Sequence, residues 1–441
     1  MANETVARVP RGPAFFLAAI VIAAFMLRYA YVRTAVVDDP LRGDAWQYFC
    51  YAWNLLNHGT FSLARPLSPV VTPDSFRDPG YPAFLAGLMA LRGTGPAVYD
   101  AILFTQCVLG TATVGLCMSL ARRYRGMAAA VATGVLLAFW PHLVGFAGYV
   151  LSETLLGFLI ALALWLLDTS LRRRSIPLAA MAGLAFSAAA LTNAVVLPMA
   201  PLLCALMLWK DVPRRRLWLA LLLACALPPA AWTVRNAMLP PTTGASARAS
   251  INLVQGAWPE YHQAAFDAIQ RGDPQAQATM AAIDQESRAM QAGWTEGLPL
   301  LWRRLSADPW RYAGWYASKP ALLWGWNVAV GQGDIYVFPT AHSLFEDSPV
   351  LHAWEGICYV LNPWIALLAL IGTLDALLSR NRPLALRWMA AVGILATLTF
   401  TLLQAEPRYA VPYRGIEILL AVSGARMLWQ VWKHRSMRAS A

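Results

Sequence analysis

About ten apolar runs recur along the chain, separated by polar connections of very unequal length. They fall near 13–34, 97–120, 126–143, 150–168, 176–191, 194–210, 216–235, 354–378, 384–403 and 410–431. A helix of about 17 to 25 apolar residues crosses a bilayer, so the longer runs predict spanning helices and the shorter ones tilted or cavity-facing helices. Between the first two runs, WQYFCYAWNLL and YPAFLAGLMAL mix aromatic and aliphatic residues at helical spacing. They predict two helices lying at the membrane interface within 43–92. The proline-rich ARPLSPVVTPDSF between them predicts irregular chain. The longest polar stretch, 236–353, opens with LPPTTGASARASINLVQGAWPEY, which predicts a loop throughout. It continues with a polar helical segment from FDAIQ to AMQAGW and closes with amphipathic helices around LPLLWRRL and PWRYAGWYASKPALLWGW. The predicted fold is an all-α polytopic membrane protein. It comprises a transmembrane module over 1–235 that includes the interface helices, an outer helical cap over 236–353, and C-terminal transmembrane helices over 354–441.

Charge orients this pattern. Basic clusters at Arg8 and Arg11, ARRYRG, LRRRS, WKDVPRRR, SRNRP with Arg387, and WKHRSMR occupy every second connection. Positive juxtamembrane charge resists translocation, which predicts cytoplasmic termini and places the long connections on the outer side. Of the 441 residues 58% are hydrophobic and only 13% charged, against roughly a quarter in soluble domains, so a soluble protein is excluded. The net charge of +11 is scattered in these clusters and forms no stripe or arm, which excludes a nucleic-acid partner in favour of membrane lipids. The first run follows two arginines as a secretory signal does. No small-residue cleavage pattern follows it, so it is read as a retained helix. Cys50, Cys107, Cys117, Cys204, Cys225 and Cys358 show neither metal-ligand nor disulfide-framework spacing.

Several polar residues stand out against this apolar background. Asp44 opens a helical pattern with Gln47 three residues on, the spacing of a capping box. Glu153 starts an otherwise apolar run behind Ser152, a plausible cap. A carboxylate so close to hydrocarbon also calls for a cavity or a partner. In RDPGYP, Asp78 can cap, Pro79 can enter the first turn and Gly80 can relieve close packing. Arg235, Lys319 and Arg408 sit at outer ends of runs, where each can simply snorkel to the interface. The histidines form no metal spacing, so no cofactor is expected and a divalent ion has no ligand motif behind it.

In chain order, GDAWQYFCYAWNLLNHGTF, FRDPGYPAFLAGLMAL, SETLLGFLIALALWLL, LTN, the PPAAWTVRN to SINLVQG region, ASKPALLW and EPRYAVPY resemble the membrane glycosyltransferases of the GT-C superfamily. Within it they resemble the bacterial branch of protein O-mannosyltransferases and lipid A aminoarabinose transferases. The resemblance covers nearly the whole chain. It implies inverting transfer of a sugar from a polyprenyl-phosphate donor to a lipid, glycan or protein acceptor on the periplasmic side of a bacterial inner membrane. Asp44 stands where the family carries an acidic residue beside the reacting hydroxyl, which implies a general base. Glu153 matches a second acidic position near the cavity. A leaving lipid phosphate needs positive charge, for which Arg408 matches a family position and Lys319 and Arg235 come next. Arg77 and Asp78 are expected to line the donor cavity, and Tyr81 and Tyr409 to pack or hydrogen-bond at its mouth. Glu406 either pairs with an arginine or touches the sugar. The chain departs from the family pattern at Asp78, where proline is usual, and in YRGIE after EPRYAVP, where the family is apolar. Two other classes compete: a flippase or exporter of lipid-linked saccharides, and a noncatalytic assembly subunit. The first calls for interrupted helices in corresponding halves; the second needs neither Asp44 nor Arg408.

Overall fold

The apolar runs fold as helices at the predicted places. In the computed structural model, which describes residues 11–239, 244–328, 334–379 and 381–439, α1 (Arg11–Thr34) leads to the two interface helices, α2 (Asp44–His58) and α3 (Gly80–Arg92). Arg8, Arg380 and the 240–243 part of the expected loop lie outside the described residues. α4 (Pro96–Arg125), α5 (Met127–Phe139), α6 (Pro141–Gly145), α7 (Glu153–Arg173), α8 (Ile176–Thr192), α9 (Met199–Lys210) and α10 (Arg215–Ala237) follow. The polar stretch carries α11 (Ala245–Gly256), α12 (Tyr261–Phe266), α13 (Pro274–Ala292), α14 (Trp294–Ala307), α15 (Pro309–Leu323) and α16 (Leu344–Asp347). The chain closes with α17 (Pro349–Leu378), α18 (Leu384–Leu402), α19 (Pro407–Ala410) and α20 (Arg414–Ala439).

Among the described residues six helices are long and apolar enough to cross a membrane. A seventh is gained if α5 and the segment beginning with α6, bent by 59°, form one broken span; α8 and α9 are shorter apolar helices. The run predicted at 410–431 is hooked, because α19 and a 3-10 turn over Val411–Tyr413 precede α20. One correction concerns the start of the cap. The segment expected to be loop throughout contains α11, whose Val254, followed by Ala257, is buried with Ile283, Met290 and Leu301 in a small core of the cap.

The bundle has two polar ends. At one end Arg123 bonds Asp168 at 2.6 Å, and Arg125 and Arg382 bond Asp375 at 2.7 and 2.8 Å, so basic clusters from two connections meet there. The other end gathers the interface helices, the cap and the hook before α20. A two-residue antiparallel pairing of β1 (Val36–Val37) with β2 (Thr340–Ala341) clips the first connection to the cap. One apolar core runs from Ala24 of α1 to Ala421 of α20 and unites the helices on both sides of the cap. Close crossing of α17 and α20 depends on glycine: a Cβ on Gly372 would lie 2.0 Å from the Leu420 carbonyl, and one on Gly424 2.3 Å from that of Leu368. Small residues of this kind let helix backbones approach where lipid removes the hydrophobic drive.

Candidate active site

Asp44 is the first residue of α2. Gly43 before it has φ 57° and ψ −123°, a backbone conformation that side chains with a Cβ rarely adopt. This sharp entry aims Asp44 away from its own helix. The expected capping box is not formed, because no side chain caps α2. Instead the two Asp44 carboxylate oxygens accept from two arginines brought from far along the chain, Arg77 Nη2 at 2.5 Å and Arg408 Nη2 at 2.9 Å. Gln47 accepts from Arg77 Nε at 2.6 Å, so the residue read as the other half of a box orients Arg77. Arg77 also lies over the Tyr48 ring, 5.3 Å from its centroid.

Glu153 begins α7 without a side-chain cap from Ser152. Its Oε1 accepts from Arg408 Nε at 2.5 Å. Arg408 therefore spans two carboxylates, with its Nε on Glu153 and its Nη2 on Asp44, and α19 and the hook hold it there. Burial pushes the Asp44 carboxyl up, but Arg408 and then Arg77 outweigh it and hold the group at about 2. Asp44 is thus firmly ionised, and a weak base, while both guanidiniums hold it.

These residues line a cavity of about 530 Å³, within the usual range for small-molecule sites. A second pair closes its far wall: Arg248 of α11 bonds Asp78 at 2.6 Å, and the same Asp78 oxygen accepts from the Ala194 backbone N–H at 3.1 Å. Asp78 therefore fastens the loop after α8 and the start of the cap. It does not cap α3, whose N-terminus carries no side-chain cap. Gly80 does relieve close packing, since a Cβ there would lie 2.5 Å from Thr192 Oγ1. The lining includes three guanidiniums, Arg77, Arg248 and Arg408, and three carboxylates, Asp44, Asp78 and Glu153, so its formal charge balances. Among the described residues no group of three or more His, Cys, Asp or Glu is placed to hold a metal ion.

Tyr409 also lines the cavity, and its hydroxyl donates to Gln404 at 2.9 Å. Glu406 pairs with His262 at 2.9 Å, neither with an arginine nor in the cavity lining. Three further expected residues lie outside that lining. Lys319 is fully buried and donates to the carbonyls of Gly256, at 2.8 Å, and Leu403, where it ties the cap to the end of α18. Arg235 donates to the Asp74 carbonyl at 2.6 Å and stacks over Trp232. Tyr81 is buried, with its hydroxyl on Gln106 at 3.1 Å. Arg248, Asn252, Gln255 and Tyr261 line the cavity without having been foreseen. Their segment reads as loop, and the Arg248–Asp78 charge match is the signal that links it to RDPGYP.

The architecture and the charged cavity at one end of the bundle define a polytopic helical membrane protein whose fold is shared with a solved oligosaccharyltransferase. An oligosaccharyltransferase from Archaeoglobus fulgidus, tethered to an acceptor peptide containing the NVT sequon, is 15% identical, with a TM-score of 0.54 over 95% of this chain and 50% of that one. Its apo form gives a TM-score of 0.50, 15% identity, and coverage of 97% and 52%. The chain thus spans about half the length of that enzyme. ArnT from Cupriavidus metallidurans bound to undecaprenyl phosphate matches at 15% identity and a TM-score of 0.37, over 93% of this chain and 76% of that one. No protein-family profile matches the chain, and no curated protein does.

Proposed function

We propose that the chain is an inverting glycosyltransferase that moves a sugar from a polyprenyl-phosphate carrier to a lipid, saccharide or protein acceptor at the periplasmic face of a bacterial inner membrane. The observation that carries this reading is the convergence of Asp44, Arg77, Glu153 and Arg408, from four separate segments, in one cavity of a fold shared with a glycosyltransferase. The acceptor hydroxyl must lose its proton as its oxygen attacks the anomeric carbon, while the phosphate departs with the bonding pair. Asp44 is the base, and Arg408 and Arg77 stabilise the charge on the departing phosphate.

The resting geometry supports one order of events. At about 2 the Asp44 carboxyl is a poor proton acceptor. A donor phosphate entering between Arg77 and Arg408 competes for the same guanidinium N–H groups. As these turn to phosphate, the two influences that lower the Asp44 pKa weaken and its basicity rises, in the state where acceptor is also bound. Glu153 keeps Arg408 aligned through Nε during this exchange. Amides of Asn193, Asn252, Gln255 and Gln404 offer the sugar hydroxyls both donors and acceptors. A second cavity of about 530 Å³, between α15, α17, α18 and α20, is apolar, and its Leu370 and Leu398 are exposed. On this reading it takes the prenyl chain, and α18 forms a wall of both cavities, with Thr397 and Leu398 on one and Thr399 and Phe400 on the other.

The test is a reconstituted transfer assay over a panel of polyprenyl-phosphate sugars and acceptors. Transfer with inversion from at least one donor is expected. Absence of transfer across the panel, with lipid-linked saccharide moved between leaflets by the same proteoliposomes, would replace the transferase by a flippase.

A further inference from the structure

Arg28 is a guanidinium inside a spanning helix, 1% exposed, at a depth where a charge is costly and calls for a reason. Part of the reason lies in the break after α5. Pro141 lacks the N–H that would bond the Leu137 carbonyl, and the chain turns by 59° there. Arg28 Nη2 donates to Leu137 O at 3.0 Å and Nη1 to Ala138 O at 3.1 Å, with a further bond to Ala24 O at 3.0 Å. Trp354 Nε1 serves the next carbonyl, that of Phe139, at 2.8 Å. This explains Nη1 and Nη2 but leaves Arg28 Nε, a buried donor with no partner in the protein.

Glu153 shows the complementary feature. Oε1 is taken by Arg408, whereas Oε2 is a buried acceptor without a protein partner. Both residues line the same small cavity of about 30 Å³, together with Gly110, Thr113 and Gly157. About 10–15 Å³ is enough to hold one water, and a stable buried water takes hydrogen bonds from polar groups around it. We infer that Arg28 is a positioning residue for Glu153: a water in this cavity accepts from Arg28 Nε and donates to Glu153 Oε2, which fixes the carboxylate that aligns Arg408. A purely structural Arg28 would need only its carbonyl bonds. Gly110 keeps the space open, since a Cβ on it would lie 2.9 Å from Arg28 Nε. The positioning role rests on the proposed transfer reaction; the water bridge itself does not.

Gly110→Ala separates the two, because it fills the space beside Nε and leaves the charge in place. Arg28→Lys is the second variant, keeping a cation for the carbonyls while removing the Nε–H. The full chain in lipid nanodiscs is compared by difference infrared spectroscopy, with the Glu153 carboxyl band assigned by its loss in Glu153→Gln. The band is expected to shift in Gly110→Ala. Single-turnover transfer is expected to fall by roughly 100-fold, the loss that a displacement of about 1 Å can cause, with donor affinity changed far less. An unshifted band in folded Gly110→Ala overturns the bridge, whatever the transfer rate and whether or not Arg28→Lys folds. A shifted band with wild-type transfer overturns the positioning role. A shifted band in a protein whose wild type transfers no sugar from the panel supports the bridge and sinks the transferase reading instead.

Discussion

Replacing Asp44 by asparagine removes a carboxylate while nearly preserving size, and the surrounding geometry sets what should follow. Two charge-assisted bonds, from Arg77 and Arg408, become at most one neutral acceptor bond, and the four-residue cluster gains a net positive charge. Holding the carboxyl at about 2 rather than the usual 3.8 corresponds to roughly 2 kcal/mol of stability at neutral pH. The side chain is 31% exposed, so screening trims this to about 1 to 2 kcal/mol. The folded-state pKa is lowered, so this contribution is complete above about pH 4 and is lost as pH falls through about 2. Asp44→Asn should therefore fold, unfold at a modestly lower temperature than wild type at pH 7, and lose that difference in acid. Donor binding should be kept or strengthened, since both guanidiniums are released for phosphate. Transfer should nevertheless fall by roughly 100-fold or more, the usual effect of losing a general base. The assay is single-turnover transfer at saturating donor and acceptor, corrected for folded fraction. A rate within a few-fold of wild type would refute Asp44 as the base.

Arg408→Gln should lower donor kcat/KM by about 10- to 100-fold, the equivalent of one charge-assisted bond, with a smaller effect on acceptor KM. Arg408→Lys should recover part of this, because it keeps the charge but not the fork that spans Asp44 and Glu153; separate titration of the two substrates checks both, and unchanged donor kcat/KM in Arg408→Gln removes Arg408 from the phosphate site. Asp78→Asn should weaken the hold on Arg248 and on the Ala194 N–H, raising a substrate KM several-fold with kcat little changed; steady-state kinetics with an unaltered KM for both substrates would exclude that wall from binding. For orientation, Gln277→Cys in α13 should react with a membrane-impermeant thiol reagent in right-side-out vesicles and Lys433→Cys only after permeabilisation. The native cysteines are all buried, so background is low, and the reverse pattern would invert the topology.

The helices were readable because length and periodicity are local properties, and α2 and α3 appear where aromatic and aliphatic residues alternate at helical spacing. α11 was not, since the turn-rich LPPTTGASA precedes it and its stability is tertiary: Val254 and Ala257 find their partners on α13, and Arg248 finds Asp78 on the loop before α3. The same limit shaped the site. Arg408, Lys319 and Arg235 look alike in sequence, each a lone cation at the outer end of an apolar run. What separates them is rotation about a helix axis and the neighbour that rotation selects. Lys319 and Arg235 meet backbone carbonyls, whereas Arg408 meets two carboxylates. Gln47 shows how a correct residue can carry the wrong role: its spacing from Asp44 suits a box, but the left-handed turn at Gly43 aims Asp44 outward, and both side chains meet across Arg77.

Arg28 went unnoticed for a related reason. Within AFFLAAIVIAAFMLRYAYV a single arginine near the end of a run reads as a snorkelling side chain, and its length allows that escape. The structure gives it none, because it is fully buried among α1, α4 and the α5 break. A sequence signal did exist. Pro141, closely preceding Glu153, must free the Leu137 carbonyl inside the membrane, where an unpaired polar group costs several kcal/mol. A donor has to be supplied from another helix, and in the first run Arg28 is a basic residue with the reach to supply one. Broken spans and isolated intramembrane arginines therefore belong together when such a chain is read, and the polar group left over after that pairing points toward the site it serves.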